Sequence, residues 1–202
     1  WVSGKARVYG KARVSGNAQV SGKALVYDDA WVSGNALVSD DAWVSGKARV
    51  YGKARVSGNA QVSGKARVYD DARVSGKALV YDDAWVSGKA QVSGKALVSG
   101  NARVYGKARV YDDARVSGDA RVSKAAHVLT AGPIGSRDDT TTFFRAEFSA
   151  GFAISVCCGC FRGTLDEFRA KVKQTHGDNK HGKVYQIAAD LAEAQIELEE
   201  AQ

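Results

Sequence analysis

The sequence predicts a mainly β protein, a parallel β-solenoid followed by a small α+β domain, and three observations carry that prediction. Val stands at every sixth position from Val2 to Val128, 22 times without exception. Ala stands at every sixth position from Ala6 to Ala126, 21 times. Two residues after each Val, as far as position 118, comes Gly in 15 units or Asp in five. A period of six cannot serve an amphipathic helix, whose apolar face recurs near every 3.6 residues. It suits short strands that stack on their own repeats.

Within the hexad A-x-V-x-G-x, Ala and Val are two residues apart, so an extended segment turns both to one face and the residue between them to the other. That outer residue is Arg, Leu, Gln, Trp or His. Gly and Asp accept positive φ, so each hexad ends in a tight corner. One apolar pair per strand cannot form a core alone, and the strands must stack. The repetition extends to whole passages: residues 1–24 return letter for letter at 43–66.

With Val as the aliphatic residue and Ala as the small residue two before it, residues 1–128 resemble the left-handed parallel β-helix of the bacterial hexapeptide-repeat superfamily. The resemblance implies three hexads per triangular coil, hence about seven 18-residue coils rising roughly 4.8 Å each. Gly falls two residues after Val, where the family more usually places it directly after the aliphatic residue. Many members of that superfamily are acyltransferases and some are zinc carbonic anhydrases. Both use histidines at subunit interfaces, and the transferases usually carry a loop that interrupts the coils. Here His127 is the only His of the repeat and no hexad is interrupted. The sequence is therefore read as non-enzymatic, with a hexapeptide acyltransferase as a lesser alternative.

If a coil has 18 residues, outer residues 18 apart form stripes. The first is Arg13, Trp31, Arg49, Arg67, Trp85, Arg103 and Arg121. It reads as a ligand-binding face for anionic polysaccharide or nucleic acid, with Trp platforms, or as a solvated face whose Arg stems cover the sheet. The second places apolar Leu25, Trp43, Leu79 and Leu97 in line with Arg7, Gln61 and Arg115. An apolar strip on a wet surface reads as a protein contact, here lateral self-association in a trimer or fibre, or as random filling of outer positions. The third is mixed. The Asp-Asp corners at 28, 40, 70, 82 and 112 never occupy adjacent coils of one corner, which favours turn chemistry over a calcium ladder.

Charge divides at the same place as the repeat. Residues 1–128 hold 21 Lys and Arg against 11 Asp and no Glu, whereas residues 129–202 hold 8 basic and 11 acidic residues. The basic surface belongs to the solenoid. No apolar run approaches the roughly 18 residues that would span a membrane. Trp1 already stands in repeat register, so residues upstream of it are expected.

The C-terminal region, 129–202, is expected to cap or assemble the rod. It reads as a ββαα module: strands near 140–148 and 152–158, a helix opened by the capping box "TLDEF" at Thr164, and a second helix over about 183–200. Leu165, Phe168 and Val172 share a face of the first helix, and Ile187, Leu191, Ala194 and Leu198 a stripe of the second. The "GSR", "CGCF" and "THGDNKH" stretches resemble a short, poorly characterised domain of bacterial and phage proteins. Cys157, Cys160, His176 and His181 have the spacing C-x2-C-x15-H-x4-H of a tetrahedral zinc site, although Cys157 and Cys160 would face opposite sides of a strand while Cys158 and Cys160 could share one. No other cofactor is implied. The expected protein is a structural or scaffolding solenoid that forms a homo-oligomer or fibre, placed outside the cell or on a virion in preference to the cytoplasm. The alternative is a binding module that uses the Arg/Trp face.

Overall fold

The computed structural model describes residues 1–198. Twenty two-residue rungs, from Arg7–Val8 to Arg121–Val122, form three parallel sheets of seven, seven and six strands. Each rung pairs with the one 18 residues on, as Arg7 with Leu25 and Val8 with Val26. The solenoid therefore makes six full turns and two further rungs, and Val2 adds a single bridge to Val20. Backbone hydrogen bonds tie each hexad to the coil above: Arg7 N–H to Ala24, Tyr9 N–H to Val26 and Lys11 N–H to Asp28, at 2.9, 3.1 and 2.7 Å.

Every Ala and Val of the hexads from Ala18 to Val122 is fully buried. The hexads thus contribute two side-chain sizes only to the core, and a stack of such coils packs at every level in the same way. All twenty corner residues, Gly and Asp alike, hold φ between +56° and +71°. The Asp corners also have a bonding role. Oδ2 of Asp28, Asp40, Asp70 and Asp82 accepts the backbone N–H of Gly46, Gly58, Gly88 and Gly100 one coil above, at 2.9 to 3.2 Å. A Cβ added to the Gly one coil below would approach the backbone of Asp28, Asp40, Asp70, Asp82 and Asp112 to within 2.6 to 3.1 Å. The approach is nearly as close beneath Gly corners, 2.9 Å at Gly76 and Gly88, so the coil spacing leaves little room for a Cβ at any corner.

After a 3-10 turn at Ala125–His127, the chain forms an antiparallel sheet of four strands in sequence order: β1 (Val128–Ile134), β2 (Asp139–Phe148), β3 (Gly151–Cys158) and β4 (Phe161–Thr164). Two helices follow, α1 (Leu165–His176) and α2 (Lys180–Gln195). The expected pair of strands is there as β2 and β3, and two edge strands are added. Gly132 and Pro133 mask β1 in the sequence; a register irregularity between Ala131 and Ile134, on an edge strand, accommodates them.

The capping box at Thr164 forms as expected, with Glu167 N–H bonded to the Thr164 hydroxyl and the Glu167 carboxylate taking Thr164 N–H at 2.8 Å. Leu165, Phe168 and Val172 are buried. The second helix departs from its predicted limits and face. Asn179 caps it three residues early by accepting Gly182 N–H at 3.0 Å, and it ends at Gln195; the expected end at Glu200 lies outside the described residues. The inward face is Tyr185, Ala188, Ala189, Ala192 and Ile196, whereas Ile187 and Leu191 are 67% and 53% exposed. Small residues let α2 lie close on the sheet, and Arg169 of α1 pairs with Asp190 and Glu193 on its outer side at 2.6 and 2.8 Å.

The four-stranded sheet closes the end of the solenoid. Ala146 bridges Ala120, Glu147 N–H reaches Asp119 at 3.1 Å, and Arg115 N–H reaches the Thr142 hydroxyl at 2.9 Å. Phe144, Ala146 and Cys157 join the Ala/Val core. The last coil thereby gains apolar cover and partners for its edge.

Candidate functional site

The geometry that makes the solenoid also makes its surfaces. Because each rung is two residues long and Val points inward, the residue before each Val stands outward, and the 18-residue register aligns these residues across coils. The first stripe lies on one sheet: Arg13 pairs with Trp31, Trp31 with Arg49, Arg49 with Arg67, Arg67 with Trp85, Trp85 with Arg103, and Arg103 with Arg121. Trp85 sits between two guanidinium groups, Arg67 at 4.9 Å and Arg103 at 4.6 Å from its ring centre, and Arg49 lies 5.7 Å from Trp31. Cation–π contact offsets some of the repulsion between stacked Arg residues. At the following corner Tyr51 and Tyr69 stack with centres 5.0 Å apart. Burial first, and then Tyr69, hold the Tyr51 phenol above its usual range. Arg121 is drawn out of the ladder: it pairs with Glu147 of the cap at 2.9 Å and donates to Asn101 and Ala120 carbonyls.

The second stripe occupies another sheet, in the register Arg7, Leu25, Trp43, Gln61, Leu79, Leu97, Arg115. Leu25 and Trp43 are neighbours, as are Leu79 and Leu97, and Gln61 separates the two pairs. Trp43 is 42% exposed and the three Leu are partly exposed. Arg115 leans to the cap, 3.5 Å from the Gly159 carbonyl.

The zinc-spaced residues are distributed over two faces of the cap. Cys157 is buried toward the solenoid, 3.5 Å from the Ser117 hydroxyl and from Arg162 Nη1. Cys158 points the other way, where Thr141 donates to its sulfur at 3.1 Å and the Tyr185 hydroxyl lies at 3.8 Å. Cys160 is exposed in the turn that follows. The rings of His176 and His181 are 6.0 Å apart. Strand alternation therefore puts Cys158, not Cys157, in the cavity that Cys160 and His176 line. Among the described residues no three His, Cys, Asp or Glu side chains converge as metal ligands. The sharing of one side by Cys158 and Cys160 follows the alternation expected from the sequence, whereas Tyr185 is not among the expected residues and only the fold brings it to Cys158. Among the described residues no helix is long and apolar enough to cross a membrane.

Among the solved structures that resemble the chain is a Bacillus cereus protein determined by X-ray crystallography and described as a candidate acetyltransferase, 9% identical, covering 94% of this chain and 93% of its own, with a TM-score of 0.30. At that score it carries nothing about activity. Among curated proteins none matches the sequence. The family model for the YdcK beta solenoid repeat matches residues 6–22, 18–34, 30–46, 48–64, 66–82, 90–106, 96–112, 108–124 and 114–129. These matches span more than half of the chain and follow the hexads that build the coils, and the chain belongs to the YdcK β-solenoid repeat family.

Proposed function

We propose that the chain is a scaffolding rod that associates side by side with a second copy through the Leu/Trp sheet. One observation supports this most: the outward order Arg, Leu, Trp, Gln, Leu, Leu, Arg places apolar pairs symmetrically about Gln61. A two-fold axis through Gln61 sets Leu25 against Leu97 of the second copy and Trp43 against its Leu79. The Gln61 amide, at once donor and acceptor, meets its own counterpart. Arg7 and Arg115 fall at the solvated rim. The contact is isologous and closes as a dimer, so a fibre requires a second contact. The cap supports the lateral mode by covering one end of the core. Light scattering on a size-exclusion column tests the reading: a mass of twice 21.4 kDa is expected at high concentration, returning to 21.4 kDa in the Trp43→Glu/Leu79→Glu variant. A wild-type chain that stays at 21.4 kDa throughout contradicts it.

A second reading rests on Trp85 between Arg67 and Arg103. On it, the Arg/Trp sheet grips an anionic glycan or nucleic acid, with binding that weakens with salt and on replacing Arg49, Arg67 and Trp85. Acyl transfer has weaker support, because His127, the repeat's one His, is buried beneath the cap; acetyl-CoA binding tests it.

A further inference from the structure

The cap contains a cavity that the rod does not need. It has a volume of about 230 Å³, between the β3–β4 turn, α1 and the N-terminal part of α2. That is below the roughly 300–1,000 Å³ of sites for drug-sized ligands. It has room for about eight water-sized groups, the bulk of one ring with a small substituent.

Its walls are apolar and aromatic: Phe161, Phe168 and Val172 line it, with Tyr185 and Cys158. The wall is braced. The Phe168 ring meets Tyr185 edge-on at 5.6 Å and Phe161 at 5.5 Å, and edge-on Phe143 supports it from behind at 5.7 Å. Tyr185 is buried against Gly135, where an added Cβ would overlap the phenol oxygen. Burial first, and then the hydrogen bond with Cys158, push the Tyr185 phenol up to about 12, so it stays an O–H. Buried aromatic groups held this firmly form a pocket before any ligand arrives.

The rim is charged. Arg137 and Lys171 are exposed at the cavity, and among the described residues neither has a carboxylate as salt-bridge partner. Lys171 makes only a local bond to Gln174 at 3.1 Å. Asp139 also lines the cavity, with Oδ1 bonded to Thr140 N–H at 2.8 Å. Two cations against one carboxylate, around a ring-sized apolar interior, select for an anion with an apolar body.

We infer that this cavity is a binding site for a small aromatic acid, whose ring lies among Phe161, Phe168 and Tyr185 and whose carboxylate meets Arg137 and Lys171 at the rim. The site is independent of the lateral contact between rods. Fluorine NMR titration of the full chain with 4-fluorobenzoate tests it, with 4-fluorobenzyl alcohol as the neutral comparison. Saturable shifts are expected for the acid, with binding weakened about fivefold in Arg137→Gln or Lys171→Gln. Both residues are exposed, so these variants leave the fold intact; Val172→Trp, which fills the cavity, abolishes the shifts. Acid that fails to saturate, alcohol that binds as well as the acid, or acid binding unchanged in both rim variants overturns the inference.

Discussion

His127 shows how much one side chain at the capped end can determine. Its imidazole is buried, with Nδ1 3.3 Å from Ser123 N–H. Burial first, and then the nearby Arg145 and Lys124, hold its pKa below the usual 6.5, while Glu197 opposes them. The unfolded chain therefore takes up a proton near 6.5 and the folded chain resists until lower pH. Stability from this residue is constant above about 6.5 and is lost as pH falls through that value toward the folded pKa. The urea midpoint should drop between about pH 7.5 and 5.5, and drop less in His127→Gln. The corners make a second prediction at this scale. Asp40 combines φ of +61° with a 2.9 Å bond to Gly58 N–H. Asp40→Ala should cost about 1–2 kcal/mol in chemical denaturation, and Asp40→Asn, which keeps both features, less than about 0.5 kcal/mol.

The coil is the unit at the next scale, and its tolerance is set by two side-chain sizes. Val68→Ala leaves a cavity that neighbouring coils cannot close, with an expected loss of about 2–3 kcal/mol. Ala66→Leu overpacks the same level and should cost about 1–3 kcal/mol; thermal unfolding of both checks the pair. Such elements were legible in the sequence because their signals are local and repeated: Val every six residues, Gly or Asp at each corner, Thr164 before its helix. The cap was less legible where tertiary packing decides. Pro133 hides an edge strand. The buried face of Tyr185, Ala188, Ala189 and Ala192 packs inward and leaves Ile187 and Leu191 exposed, although spacing alone makes them a core stripe. Strand alternation already set Cys158, not Cys157, on the side of Cys160; that Cys157 joins the solenoid core and Cys158 faces a cavity with Tyr185 needed the tertiary fold.

Across the whole molecule, the doubled 24-residue passage has different meanings at its two sites. Val2 bridges Val20, which puts Trp1 with the sheet of Gln19, while Trp43, its counterpart, stands between Leu25 and Gln61. An offset of 42 residues is not a whole number of 18-residue turns, so the same words fall on different faces. Repetition builds the rod, and the outer residues give each face its chemistry. The proposed lateral contact depends on that placement and is tested most directly by cross-linking. In a Cys160→Ser background, which removes the exposed native thiol, Gln61→Cys sits on the predicted two-fold axis and Gln91→Cys on another sheet. A short bismaleimide should join Gln61→Cys chains into dimers and leave Gln91→Cys chains monomeric. Equal cross-linking at both positions, or none at Gln61→Cys, would contradict the account.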